Sequence, residues 1–373
     1  MSRFDHGPLG SPSLLAALVG SARAAVNLAP PSSGSALAAL LGSSAQLPRQ
    51  PTPPAPSSVL AALLQASASA PSPVPTPRPQ WIAVNQRFGQ FAQNLLLTRS
   101  QVDDGITKYQ GVVRCLNRHY YGDAAVSNTA FTIGSWGKNT AIRPPRDVDL
   151  YFVLPATVHS RFESHRWNRQ SALLQEVKDV LAATYSSTDM RGDGQVVVVN
   201  FESYAVEIVP AFLLTNGRYW ICDTHDGGTY RTTDPFAERG RIEAVDAANN
   251  RNLRHLVRML KAWQDNCSVP IASFALELVA AEFLAQSAWR LKGFFYFDWL
   301  VRDFFVYLYA KAGQTIVLPG TGEVIPLGDE WKSRVVTGYR RATEACDCER
   351  DNYIYLAGEE WQKIFGQQVP MNP

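Results

Sequence analysis

No stretch of this 373-residue chain is predominantly apolar for the ~18 residues that a membrane-spanning helix needs. The N-terminal apolar run Leu14–Val19 is short and follows a mixed-charge start, so no secretory leader is expected either. Cysteine is scarce: Cys115, Cys222, Cys267, Cys346 and Cys348 are an odd number, widely spaced in a long chain. That pattern excludes a disulfide framework and suits a reducing compartment. An excess of one charge is lacking too, with 35 basic and 33 acidic residues giving +2. Such a balance speaks against general coating of nucleic acid, while leaving room for a local basic groove. A soluble, cytoplasmic protein without a membrane partner is the expectation.

The even totals hide a division. Residues 1–80 lack tryptophan and cysteine, hold 14 of the 24 prolines, and carry four arginines against one acid, Asp5. Within them Ser13-Leu-Leu-Ala-Ala-Leu-Val-Gly, Ser35-Ala-Leu-Ala-Ala-Leu-Leu-Gly and Ser58-Val-Leu-Ala-Ala-Leu-Leu-Gln recur. Each repeat opens on a capping serine, runs through good helix formers, and is stopped by proline-rich spacers within about two turns. The reading is a low-complexity tether over 1–80 with transient helical turns; the alternative is three copies of a docking peptide. Core-forming residues begin near Trp81, and residues 81–373 carry 31 basic and 32 acidic side chains.

From there the periodicity predicts helices over 85–97, 101–120 and 171–185, and strands over 130–133, 147–154, 196–201 and 204–209. Beyond Thr233-Asp234-Pro235 the texture is helical, with helices over 252–265, 272–284 and 298–312. An α/β core over 81–240 followed by a helical lobe over 241–373 is therefore expected.

Three carboxylates stand where strand residues should be apolar. Asp147 and Asp149 lie at i and i+2, so a strand turns both to one face, while Val148 and Leu150 face a core. Glu207, between Val206 and Ile208, presents a third from another strand. Adjacent like charges repel unless a cation sits between them, and oxygen-only ligands suit Mg²⁺ or Mn²⁺. Two such ions could stabilise the attacking and leaving oxygens of a phosphoryl displacement. Upstream, Gly134-Ser135 offers a backbone that a phosphate can approach closely, with eleven residues between it and Asp147.

The run GSWGKNTAIRPPRDVDLYFVLP resembles the nucleotidyltransferase superfamily related to DNA polymerase β. With VEIVPAF, YRTTDP, LVRMLKAWQD and IASFALEL, residues 85–365 look like the bacterial cGAS/DncV-like nucleotidyltransferases (CD-NTases), the SMODS-type synthases of cyclic oligonucleotides. The resemblance implies an α+β bilobal fold, a mixed-sheet lobe with flanking helices plus a C-terminal helical lobe, with the active site in the cleft between them. It implies a metal triad of Asp147, Asp149 and Glu207, the last a variation on the aspartate common in bacterial members. Gly134 and Ser135 correspond to the turn holding the triphosphate, Lys261 to a lysine reaching it from across the cleft, and Ser273 to a serine adding a hydroxyl.

What the resemblance further implies is synthesis of a cyclic di- or trinucleotide from ATP and/or GTP, assisted by two Mg²⁺ ions. The product would activate a separate effector protein in an anti-phage (CBASS) operon that could also encode regulators. An RNA- or protein-modifying nucleotidyltransferase of the toxin or tRNA-end type remains an alternative, disfavoured by the near-neutral charge of 81–373. A catalytically silent nucleotide-binding scaffold is another, disfavoured by the complete triad. No stable nucleic-acid partner is expected.

Weaker features carry two readings each. Cys346-Asp347-Cys348 could bind metal with His255 or His225, but a single C-x-C favours reduced thiols. Tyr230 could stack on a base or belong to the core. Arg143–Arg146 could steer phosphates or form a rigid loop.

Overall fold

The computed structural model describes residues 81–165 and 168–373; the expected tether and its repeats lie outside the described residues. Helix α1 (Ile82–Asn94) leads into α2 (Arg99–Tyr121), which opens on a Thr98/Gln101 capping box and ends at left-handed Gly122. Then follow β1 (Ala130–Thr132), the one-turn α3 (Gly134–Gly137), β2 (Asp147–Val153), α4 (Ala156–Glu163) and α5 (Arg169–Ala182). Five further strands come next: β3 (Asp189–Asp193), β4 (Val196–Asn200), β5 (Ala205–Leu213), β6 (Tyr219–Asp223) and β7 (Thr229–Thr233). The remainder comprises α6 (Pro235–Ala248), α7 (Asn252–Asn266), α8 (Ser273–Gln286), α9 (Phe297–Ala310), a small hairpin of β8 (Thr315–Val317) and β9 (Val324–Pro326), α10 (Lys332–Arg350) and α11 (Ile354–Phe365).

Seven strands form one mixed sheet. β1, β2, β5, β4 and β3 lie side by side, and β6 joins the far half of β5 with β7 beyond it. β2 and β5 run parallel and the other pairs antiparallel. Strand alternation divides the two faces. Leu150, Phe152, Val197, Val199, Val206 and Ile208 pack under α2 and α5. Tyr151, Val198, Val209 and Ile221 line the other face, on which the carboxylates stand.

The helical core gathers α6 to α11 and also α1, whose Phe88 meets Trp361 edge-on at 5.1 Å. α1 therefore precedes the sheet in sequence and packs with the other lobe. Residue 240 lies inside α6.

α1 is pinned there by Arg87, which is fully buried. Its guanidinium donates to Glu349 at 2.9 Å and to the backbone oxygens of Met371 (2.8 Å) and Ile354 (2.7 Å). Arg87→Ala leaves Glu349 without that cation. The expected loss is about 3–5 kcal/mol, read as a lower midpoint in urea; an unchanged midpoint would refute the pin. Among the described residues no helix is long and apolar enough to cross a membrane.

Candidate active site

The parallel register of β2 and β5 sets Asp149 directly opposite Glu207, with Asp147 one pleat away on the same face. One oxygen from each of these three carboxylates lies within 4.8 Å of the others. Asp149 and Glu207 are buried and Asp147 is half-buried. Burial first, and then repulsion from Asp147 and Glu207, holds the Asp149 carboxyl well above the usual carboxylate range. Burial also raises Asp147, against the pull of Lys261 and Arg146. Three acids held close together at such a cost fit a divalent cation: the donors are all oxygen, and the missing positive charge is what would let them ionise together.

The turn after β1 is built around Asp149. Gly134 sits at φ +55°, and a Cβ there would collide with the Asp149 carboxylate. The Ile133 N–H donates to the Asp149 backbone oxygen at 2.9 Å, fixing this turn to β2. Glycine is therefore required here twice, by conformation and by space.

The opposite wall comes from α7 and α8. Arg254, Arg258 and Lys261 occupy positions i, i+4 and i+7 of α7, one stripe of the helix. Arg254 donates to the Lys138 backbone oxygen at 3.0 Å and Arg258 to that of Asn139 at 2.7 Å. Lys261 donates to that of Thr140 at 3.3 Å. Three cations thus grip three successive carbonyls of the segment that continues the Gly-Ser turn.

Glu277 of α8, 2% exposed, completes the wall: it pairs with Lys261 at 2.6 Å and with Lys138 at 2.6 Å. The Thr140 hydroxyl donates to it at 2.8 Å and accepts from Lys261 at 3.0 Å. Burial alone would raise the Glu277 carboxyl; Lys138 and Lys261 outweigh it and bring it down to about 2. Ser273, at the start of α8, donates to Gln264 at 2.8 Å.

A cavity of about 780 Å³ separates the two walls, lined by Ser135, Asp147 and Asp149 on one side and Lys261 and Ser273 on the other. The structure so brings together the residues that the resemblance assigned to the metal and the triphosphate, with Gly134 behind Asp149 and Glu207 beside it.

Residues 82–246 match the Second Messenger Oligonucleotide or Dinucleotide Synthetase (SMODS) domain. A probable cyclic nucleotide synthase of Bacillus cereus (strain VD146) is 21% identical over 274 residues, covering 64% of this chain and 81% of the relative. Among solved structures, Escherichia coli MS115-1 CdnC with ATP matches at a TM-score of 0.56 and 20% identity, over 77% of this chain and 98% of that one. Vibrio cholerae DncV cyclic AMP-GMP synthase with its linear intermediate matches at 0.54 and 13%, over 78% and 88%.

Residues 82–246 thus form a SMODS domain, set in a chain that shares its fold with CdnC and DncV. The chain is a nucleotidyltransferase of the class that makes second-messenger nucleotides, and its α+β fold is the one seen in those solved structures.

Of the remaining sequence features, all but Arg146 lie away from the cleft. Tyr230 stacks on Trp220 with centroids 5.7 Å apart and lies against Phe212, on the α2/α5 side of the sheet; it is packing. Cys346 and Cys348 lie on α10, and His255 lies against Phe294 and Phe297. Among the described residues no cysteine joins a metal-ligating cluster. Arg143 is held in a loop by the Leu96 backbone oxygen at 3.0 Å, whereas Arg146 lines the cavity and pairs with Asp265.

Sequence reasoning missed Lys138, Thr140 and Glu277. A signal for the last exists: an acid inside the apolar helix SFALELVAAEFLAQ needs a buried partner.

Proposed function

We propose that this chain joins nucleoside triphosphates, ATP and/or GTP, into a cyclic di- or trinucleotide that activates a separate effector in anti-phage (CBASS) signalling. The observation that carries this reading is the Asp147/Asp149/Glu207 cluster facing Lys261 and Ser273 across one cavity. The cavity volume falls within the ~300–1,000 Å³ of small-molecule sites.

The donor's phosphates lie along the turn at Gly134 and Ser135, where backbone and hydroxyl donors meet their charge. Lys261 and the Ser273 hydroxyl hold the same triphosphate from across the cavity. An acceptor ribose hydroxyl gives up its proton beside Asp149 and Glu207, its oxygen bonds the α-phosphorus in line, and pyrophosphate leaves. A second transfer from the other end of the linear product closes the ring. Two Mg²⁺ ions (or Mn²⁺) held by Asp147, Asp149 and Glu207 would supply the charge that neutralises both oxygens of the displacement.

Positioning and charge neutralisation account for most of the acceleration, because the protein itself forms no bond to the nucleotide. One CdnC structure is of a complex with a HORMA protein, which supports looking for an operon-encoded regulator here too. Incubation with all four NTPs and Mg²⁺, followed by mass spectrometry, tests the proposal. A cyclic product supports it, and modification of added RNA or protein in place of a cyclic product overturns it.

Lys261→Ala is expected to raise the KM for NTP ten- to a hundredfold, since one charge-assisted hydrogen bond partly shielded from water is worth about 1.5–3 kcal/mol. Steady-state kinetics check this. Unchanged KM and kcat would remove Lys261 from the triphosphate.

A further inference from the structure

The ammonium of Lys261 has three protons to donate, and all three have acceptors without any nucleotide: Glu277 at 2.6 Å, the Thr140 hydroxyl at 3.0 Å and the Thr140 backbone oxygen at 3.3 Å. To hold a triphosphate, the side chain must loosen at least one of these. The strongest is the charge-assisted bond to Glu277.

Glu277 is placed for more than packing. It sits on α8 in the helical lobe yet binds Lys138 and Thr140, which continue the Gly-Ser turn of the sheet lobe. Lys138 also meets Glu238 of α6 at 3.7 Å, so it keeps a carboxylate partner if the charge of Glu277 is removed. Lys261 keeps its hydrogen bonds to Thr140 and the longer-range attraction of Asp147, Asp149 and Asp265. One carboxylate therefore both restrains the lysine that faces the cavity and ties the catalytic turn to the opposite wall.

We infer that Glu277 is a positioning residue which restrains Lys261 against Thr140 and fixes the 138–140 segment, lowering affinity for the triphosphate while holding it in reacting geometry. The inference rests on the assignment of Lys261 to the triphosphate under the proposed function. The glutamate's negative charge offsets part of the positive field that would otherwise attract the nucleotide. Its removal frees the ammonium for the phosphates, and the turn loses the anchor that sets their position relative to Asp147 and Asp149. Ground-state binding and turnover are then expected to move in opposite senses, a combination that simple loss of folded protein does not produce.

The test is Glu277→Gln in the full chain, which keeps shape and one acceptor but removes the charge. Binding of ATP is read by calorimetry, whose stoichiometry counts folded sites, and kcat is expressed per site. Expected are at least tenfold tighter ATP binding and at least tenfold lower kcat, with Glu277→Asp returning the ATP Kd to within threefold of wild type. An ATP Kd in Glu277→Gln equal to or weaker than wild type overturns the inference, as does wild-type kcat.

If Glu277→Gln does not fold, Thr140→Val carries the same test by removing the hydroxyl between Lys261 and Glu277. A kcat at least tenfold lower with ATP binding no weaker supports the inference there, and weaker binding or unchanged kcat refutes it. Lys261→Ala separates the two failures. If that variant binds ATP like wild type, the triphosphate assignment falls. If it binds weakly while Glu277→Gln binds no tighter, only the role of Glu277 falls.

Discussion

Asp149→Asn abolishes product and raises the melting temperature of the metal-free protein. The carboxylate stands opposite Glu207 and one pleat from Asp147, its charge opposed by burial and by both neighbours. Because its folded pKa lies above the unfolded value, the folded state binds the extra proton. Wild-type stability then falls as pH rises from about 4 through the raised folded pKa, and above that the full penalty persists. Asparagine fills the same space without charge, so at neutral pH the variant is the more stable in the absence of divalent cation.

Adding Mg²⁺ should reverse the order by stabilising wild type and leaving the variant nearly unmoved, since a ligand stabilises only the state that binds it. Turnover should drop by at least ~10²–10³-fold, the loss typical of deleting one charge-stabilising group at a reacting centre. Thermal melts with and without Mg²⁺, alongside product assays, check both halves. Activity within tenfold of wild type, or a variant that melts earlier than metal-free wild type, would refute the role given to Asp149.

The site was legible where a rule of alternation applied. Polar residues at i and i+2 inside DVDLYFVL must share a face, and β2 places them so. The register of Asp149 against Glu207 was not readable, because pairing of β2 with β5 is a long-range choice among several strands. Helices α2, α7, α8 and α9 lie within a few residues of the ranges expected from the sequence.

The edge strands β3 and β7 escaped, as did β6 between β5 and β7, whereas the edge strand β1 was expected. β3 is Asp-Met-Arg-Gly-Asp and pairs only with β4, and β7 is Thr-Tyr-Arg-Thr-Thr at the other end of its arm, so neither carries the apolar run that marks an interior strand. α1 was legible as a helix, but nothing in its own residues says that Phe88 and Phe91 meet Trp361 and Phe365 some 270 positions later. The cluster around Glu277 was missed for the same reason: Lys138 and Glu277 each look like a lone charge until the lobes close.

Gly134→Ala should reduce kcat by about a hundredfold or more while leaving the protein folded. A residue with a Cβ at φ +55° costs roughly 1–2 kcal/mol in backbone strain alone, which a chain of this size survives. The larger consequence is spatial. The new methyl would overlap the Asp149 carboxylate, so either that side chain turns away from Asp147 and Glu207 or the turn retreats from β2. In both cases the acid and the phosphate-binding backbone part by something near 1 Å, enough for a loss of order 10² at a site that works by positioning.

Gly122→Ala provides the control. Gly122 also has positive φ, at the end of α2, but a Cβ there meets nothing within 4 Å. Strain without collision should lower the melting temperature and leave kcat unchanged. Equal losses of kcat in the two variants would mean that strain, not contact with Asp149, governs the turn. Wild-type kcat in Gly134→Ala would show that reaction does not require the carboxylate where the structure places it.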